Sequence, residues 1–92
     1  MVFSWDEEKR NQNLKKHRLD FKDAHIVFGG LPLTSKDERF DYREQRFITI
    51  GLLHDKFVVI AHTIDGSYYR IISMRKATKY EEVLCLKSFQ NH

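Results

Sequence analysis

The sequence predicts an α+β domain: an antiparallel β-meander with two N-terminal helices and a C-terminal helix. Three patterns carry this expectation. Within residues 46–75, apolar stretches rich in β-branched side chains are separated by His54-Asp55 and Asp65-Gly66, short polar breaks of the kind that close hairpins. Ahead of them, two segments show helix caps and helical spacing. From Ala77 onward the period changes from two toward that of a helix.

Residues 1–5 form a short apolar run and a first strand. Asp6 then offers a side-chain oxygen to cap a helix. Glu7 and Glu8 fall at its positive end and Lys15, Lys16 and His17 at its negative end, in the order that complements the helix dipole. Leu14 is the only large apolar residue of that helix, which is expected to rest on the protein by a narrow stripe with help from Trp5. In the second helix Asp20 is the candidate cap and Asp23 holds the capping-box position, with Leu19 and Ala24 as a hydrophobic staple. Phe21, Ala24, Val27 and Phe28 share a face at spacings of three and four, and Gly29-Gly30 ends the segment. Residues 31–42 hold the single proline and suit an edge strand near Leu33 followed by a loop. Residues 46–53, 56–64 and 68–75 supply the meander, and 77–89 the closing helix, with Tyr80, Val83, Leu84 and Leu86 as its apolar residues.

Ninety-two residues make one domain, 1–92, long enough for a single core. The balance of 41% hydrophobic and 32% charged residues is that of a globular protein rather than a disordered one. A formal charge of +3 and a pI near 9.1 permit a polyanionic partner without requiring one. The lone cysteine, Cys85, excludes an internal disulfide and is expected to be a small core residue. No apolar run approaches the ~18 residues of a membrane span. The opening MVFSWDEE lacks the basic and apolar regions of a secretory signal, so a cytoplasmic location is expected.

If both turns are two-residue hairpins, Leu53 opposes Lys56, Thr63 opposes Tyr68 and Ala61 opposes Arg70. One face then carries Arg46, Thr63, Tyr68 and Arg70 with Ile72 and Met74; the other carries His62, Tyr69, Ile71, Ser73 and Arg75. A slip of one residue at either turn would send these groups to the opposite face. Arg46 and Arg70 close together would repel unless an anion lay between them, and the planar guanidinium fork suits phosphate. The competing possibility is that each pairs with a local carboxylate such as Glu38, Asp41 or Glu44. His17, His25, His54 and His62 titrate near neutrality, although a single histidine is more often a structural hydrogen bonder. Tyr68, Tyr69, Tyr80 and Trp5 can stack on unpaired bases, although strand aromatics more often belong to a core. No HExxH spacing, glycine-rich phosphate loop or GxSxG is present, and one cysteine cannot build a zinc knuckle, so neither a cofactor nor a metal is expected.

Taken in order, Trp5-Asp6-x-x-Lys9, Asn13, Lys16-His17, Phe21-x-x-Ala24-x-x-x-Phe28, Glu38-Arg39-Phe40, Arg46, Gly51, His62-Thr63, Arg70-Ile71-Ile72-Ser73, Arg75-x-Ala77-Thr78 and Glu81 resemble the BrnT family, the toxins of BrnT–BrnA type II toxin–antitoxin pairs. The resemblance implies a RelE-like α+β fold and ribonuclease toxicity. It also implies neutralisation by a small BrnA antitoxin whose ribbon-helix-helix part binds DNA, so that DNA is met only through the antitoxin. The polar residues at matching positions are Lys16, His17, Arg46, His62, Arg70 and Arg75.

The reaction this suggests is RNA cleavage without a metal, in which the ribose 2′-hydroxyl attacks the adjacent phosphorus. It needs a proton acceptor, a proton donor and cations facing the phosphate. Arg70 and Arg46 are assigned to the phosphate and Arg75 to substrate or phosphate. His62, His17 and Lys16 are the proton-transfer candidates, while Thr63, Tyr68 and Trp5 are expected to touch substrate. The rival function is a non-catalytic partner that only docks a DNA-binding antitoxin through the same basic surface.

Overall fold

The computed structural model describes residues 1–39 and 43–90. Its elements are β1 (Val2–Trp5), α1 (Glu7–His17), a 3₁₀ turn (Phe21–Asp23) running into α2 (Ala24–Phe28), β2 (Leu33–Lys36), β3 (Phe47–Leu53), β4 (Lys56–His62), β5 (Tyr68–Lys76) and α3 (Lys79–Gln90). The strands form one sheet in the order β1-β5-β4-β3-β2. Strands β2 to β5 are antiparallel neighbours, as the hairpin signals predict. The wholly antiparallel meander needs one correction: β1 joins as a parallel edge strand on β5, pairing Val2 with Tyr68 through Trp5 with Ile71.

One sheet face carries the main core. Phe21, Ala24, Val27 and Phe28, the stripe expected of the second helix, pack on Leu53, Val58, Ile60, Ile71 and Met74. The approach is close enough that a Cβ on Gly51 would lie 2.8 Å from Val27 Cγ1, so glycine lets the helix settle on β3. That helix is shorter than its signals suggest, because its first turn is 3₁₀. Asp20 accepts from Lys22 N at 3.0 Å and is gripped by Arg10 Nε and Nη2 at 2.7 and 3.0 Å. The Arg10 guanidinium holds the Asp20 carboxyl down to about 2.

The opposite face carries a smaller cluster, Ile50, Val59, Ala77 and Cys85, with Phe57 and Phe89 partly buried against it. Cys85 is the buried residue of α3, and its thiol donates to the Ile50 carbonyl at 3.5 Å. The expected apolar set is displaced: Tyr80 is 72% exposed, and Val83, Leu84 and Leu86 also reach solvent. Helix rotation explains this, because Cys85 and Phe89 define the buried stripe at a spacing of four.

Helix α1 is held differently from expectation. Leu14 is exposed, and the buried residue is Asn13. Its amide donates to the Leu19 carbonyl at 3.0 Å, and its oxygen accepts from Met74 N at 3.1 Å. Strand β1 stops opposite Ile71, so Asn13 takes up a β5 edge donor beyond that point. Asn13→Ala leaves that buried N–H unsatisfied and is expected to cost about 1–3 kcal/mol, measured as a lowered urea midpoint.

Both hairpin turns close with two-residue loops, but only one in the expected register. Leu53 opposes Lys56, with His54 at a φ of 58°. At the other turn Asp65 and Tyr68 exchange backbone hydrogen bonds of 2.8 and 2.9 Å, so Gly66-Ser67 form the corner and Gly66 takes a φ of 61°. Thr63 therefore meets Arg70 (N–H to carbonyl, 3.0 Å) rather than Tyr68. A bulge follows: His62 pairs with Ile71 but Ala61 with Ser73, which leaves Ile72 as the extra residue. Beyond it the facing of β5 is inverted relative to expectation. Met74 turns into the main core, and Ser73 and Arg75 join the face of Arg70.

Candidate nucleic-acid interface

Helix α3 covers only part of its face. Its partners include Ile48, Ile50, Phe57 and Val59. Just past the ends of β3 and β4, two steps beyond the Ile48–Ala61 pair, lies a polar row. Ser4 on β1 pairs with Arg70, Arg70 is bonded to Thr63, and Arg46 stands opposite Thr63, one step beyond the Phe47–His62 pair. The regular alternation of strands points these side chains to one side.

Arg46 and Arg70 do converge. Their Nη2 atoms meet the same carboxylate oxygen, Glu44 Oε1, which lies 3.7 Å from Arg46 and in direct hydrogen bond with Arg70. The anion between the two guanidinium groups is a carboxylate of the chain itself, one of those the competing possibility named. Another of those, Asp41, lies outside the described residues. The trio is reachable, with side-chain exposures of 47% for Arg70, 39% for Glu44 and 27% for Arg46. Tyr68, 62% exposed, precedes Arg70 by two residues and opens β5 at the same end.

Lys16 and His17, in the last turn of α1, line a cleft of about 290 Å³ with Asn13, Ile72 and Ser73. The β5 bulge thus brings the end of α1 and the Arg70 strand to a common edge. Arg75 is on the same face but engaged: Nη1 and Nη2 each donate to Glu81 at 2.8 Å. Glu81 also closes a capping box, accepting from Thr78 N at 2.8 Å while Thr78 Oγ1 accepts from Glu81 N at 3.2 Å. The Arg75 guanidinium, helped by the Thr78 N–H, holds the Glu81 carboxyl down to about 2. Beside this pair, Ser35, Lys36 and Arg39 line a further cleft of about 210 Å³.

Lys16 and His17 stand at the β5 edge without touching the arginines, and two further candidates lie on the other face of the sheet. His62 is completely buried on the α2 side, among Phe28, Phe47 and Tyr69 at ring-centroid distances of 5.0, 6.0 and 5.6 Å. Its Nε2 and the Thr49 hydroxyl are 2.7 Å apart, and its Nδ1 lies 3.2 Å from the Thr63 carbonyl. Burial pushes its pKa below the ordinary 6.5. Adjacent strand residues point to opposite faces, so His62 is excluded from the surface that Thr63 occupies. Trp5 is likewise on the α2 side, packed against the main core, with Nε1 donating to Glu7 Oε2 at 3.0 Å. Glu44, which sequence reasoning left as a possible ion-pair partner, is the residue that joins the two arginines. Its place two residues before Arg46 is the local signal for it.

Residues 5–81 match the family described as "Ribonuclease toxin, BrnT, of type II toxin-antitoxin system". Among solved structures, the chain is similar to the Brucella abortus ribonuclease toxin BrnT, whose crystal structure was determined at 1.1 Å resolution. The TM-score is 0.62 and the identity 27%, covering 86% of this chain and 100% of that one. No curated protein sequence matches.

Proposed function

The chain belongs to the BrnT family of ribonuclease toxins of type II toxin–antitoxin systems, and from that premise we propose that it is an endoribonuclease whose phosphate site is the Arg46–Arg70 pair. The observation that carries this is the convergence of two guanidinium groups on one anionic oxygen at an accessible sheet face. A phosphodiester seated there would meet the charge it develops as the 2′-hydroxyl attacks, which is where fixed cations lower the barrier. Arg75 and Tyr68 extend the surface for neighbouring nucleotides, and Thr63 is a hydroxyl within the row. His17 and Lys16 remain the proton-transfer candidates at the β5 edge; His62 and Trp5 are withdrawn. The RelE-like arrangement, inhibition of translation in the cytoplasm and neutralisation by a BrnA-type ribbon-helix-helix antitoxin belong to the same proposal. The test is incubation of the purified chain with RNA, with and without a chelator. Cleavage of equal rate in both supports the metal-free reaction, and no cleavage in either rejects it.

The presence of Glu44 between the arginines also favours a second use of the site. A surface that accepts a carboxylate suits an acidic antitoxin segment, so docking at the same cations would block RNA. Expression of the chain alone separates the two functions: toxicity indicates the enzyme, and harmless expression a docking module.

A further inference from the structure

We propose that Glu44 is the proton acceptor for the attacking 2′-hydroxyl, an inference that rests on the ribonuclease function proposed above. Cleavage by that route needs a base beside the phosphate site. Arginine side chains do not deprotonate in proteins. His62 is enclosed on the opposite face and its two ring nitrogens already face Thr49 and the Thr63 carbonyl. Lys16 and His17 stand at the β5 edge, beside Ser73 rather than in contact with the arginine pair. Among the described residues, Glu44 is the carboxylate in contact with both guanidinium groups, through one oxygen, and its side chain is 39% exposed.

The geometry lets carboxylate and phosphate be held together. A guanidinium carries five N–H donors, and among the described residues Arg70 engages Glu44 through Nη2 alone. Its remaining donors are available to a phosphate oxygen. The ribose attached to that phosphate then lies next to Glu44. In the step, the 2′-O–H proton passes to the carboxylate as the O2′–P bond forms, and the P–O5′ bond breaks. The departing 5′-oxygen takes a proton from the α1 end or from water. The products are a 2′,3′-cyclic phosphate end and a 5′-hydroxyl end, and Glu44 returns its proton to solvent.

The test compares the wild-type chain with Glu44→Gln, Glu44→Asp and Glu44→Ala in single-turnover cleavage of a short RNA, alongside binding of the 2′-deoxy oligonucleotide of the same sequence. Circular dichroism establishes that each variant is folded. Glu44→Gln is expected to cleave about 10²–10⁴-fold more slowly while binding the deoxy oligonucleotide as tightly as wild type or more so. Glu44→Asp is expected to retain part of the rate, and added formate to restore part of it to Glu44→Ala. Cleavage by Glu44→Gln at or above the wild-type rate would overturn the proposal and identify Glu44 as a plug in the phosphate site. Loss of oligonucleotide binding in step with cleavage would overturn it too, leaving Glu44 as a support for the arginines. Absence of cleavage by the wild-type chain rejects the ribonuclease function itself, and is seen before any variant is compared.

Discussion

Arg70→Ala is expected to slow RNA cleavage by about 10²–10³-fold, the loss that follows removal of one preorganised donor from a developing oxyanion. Two features make the effect functional rather than structural. The Arg70 side chain is 47% exposed, and its ion pair with Glu44 lies at the surface, where such pairs add little to stability. The melting temperature should therefore stay close to that of wild type. Arg70→Lys should recover only part of the rate. An ammonium keeps the charge but lacks the planar fork that binds two oxygens at once. Initial rates on a defined RNA, with thermal melts of the same samples, check both parts.

His62→Ala should show the reverse pattern. Its ring fills space among Phe28, Phe47 and Tyr69 in the main core. Truncation to alanine is expected to cost about 3 kcal/mol, in the range of large-to-small core changes. For a domain of this size that is roughly 12–24 °C in melting temperature. The Thr49 hydroxyl keeps a partner in Thr34 Oγ1 at 2.8 Å, so loss of packing rather than an orphaned hydroxyl dominates. Cleavage per folded molecule, measured well below the new transition, should be close to wild type, because the side chain is on the face away from Arg46 and Arg70. The pH dependence has a definite sign. Burial keeps folded His62 neutral below its ordinary 6.5, whereas the unfolded chain takes up the proton there. Wild-type stability should fall as pH drops below 6.5 toward the lowered folded value. His62→Phe should lack that part of the fall, as read from urea midpoints across pH.

Local chemistry was legible in the chain, and contacts between distant segments were not. Asp6 caps α1 through Lys9 N, and Phe21, Ala24, Val27 and Phe28 form the stripe that 3.6-residue spacing implies. His54-Asp55 fixes its hairpin in the expected register. The Asp65-Gly66 signal marked the right place, but glycine took the first corner and shifted the pairing by two residues. The bulge at Ile72 then reversed the facing of Ser73, Met74 and Arg75, as one inserted residue must in a structure of period two. No periodicity announces that bulge. The parallel pairing of β1 with β5, and the Asn13–Met74 bond across 61 positions, join residues whose proximity is created only by the fold. A polar helix with one leucine suggested that leucine as its anchor, yet a buried asparagine meeting an open strand edge does the holding. The candidate site was legible to the same extent. Arg46 and Arg70 were identifiable as cations on strands, and their shared face survived the register shift because that shift was even. His62 was placed on the correct face, opposite Arg46 and Arg70, but its proton-transfer role fails because α2 covers that face and buries the ring, which the sequence alone did not show.

The proposed role of Arg46 and Arg70 is to act on one phosphate as a unit. The direct measurement is a double-mutant cycle on single-turnover RNA cleavage with Arg46→Ala, Arg70→Ala and both together. Strong coupling is expected: once one guanidinium is gone, removing the other costs far less than it does in the wild-type chain. Independent, additive losses would contradict it, as would full activity in the double variant.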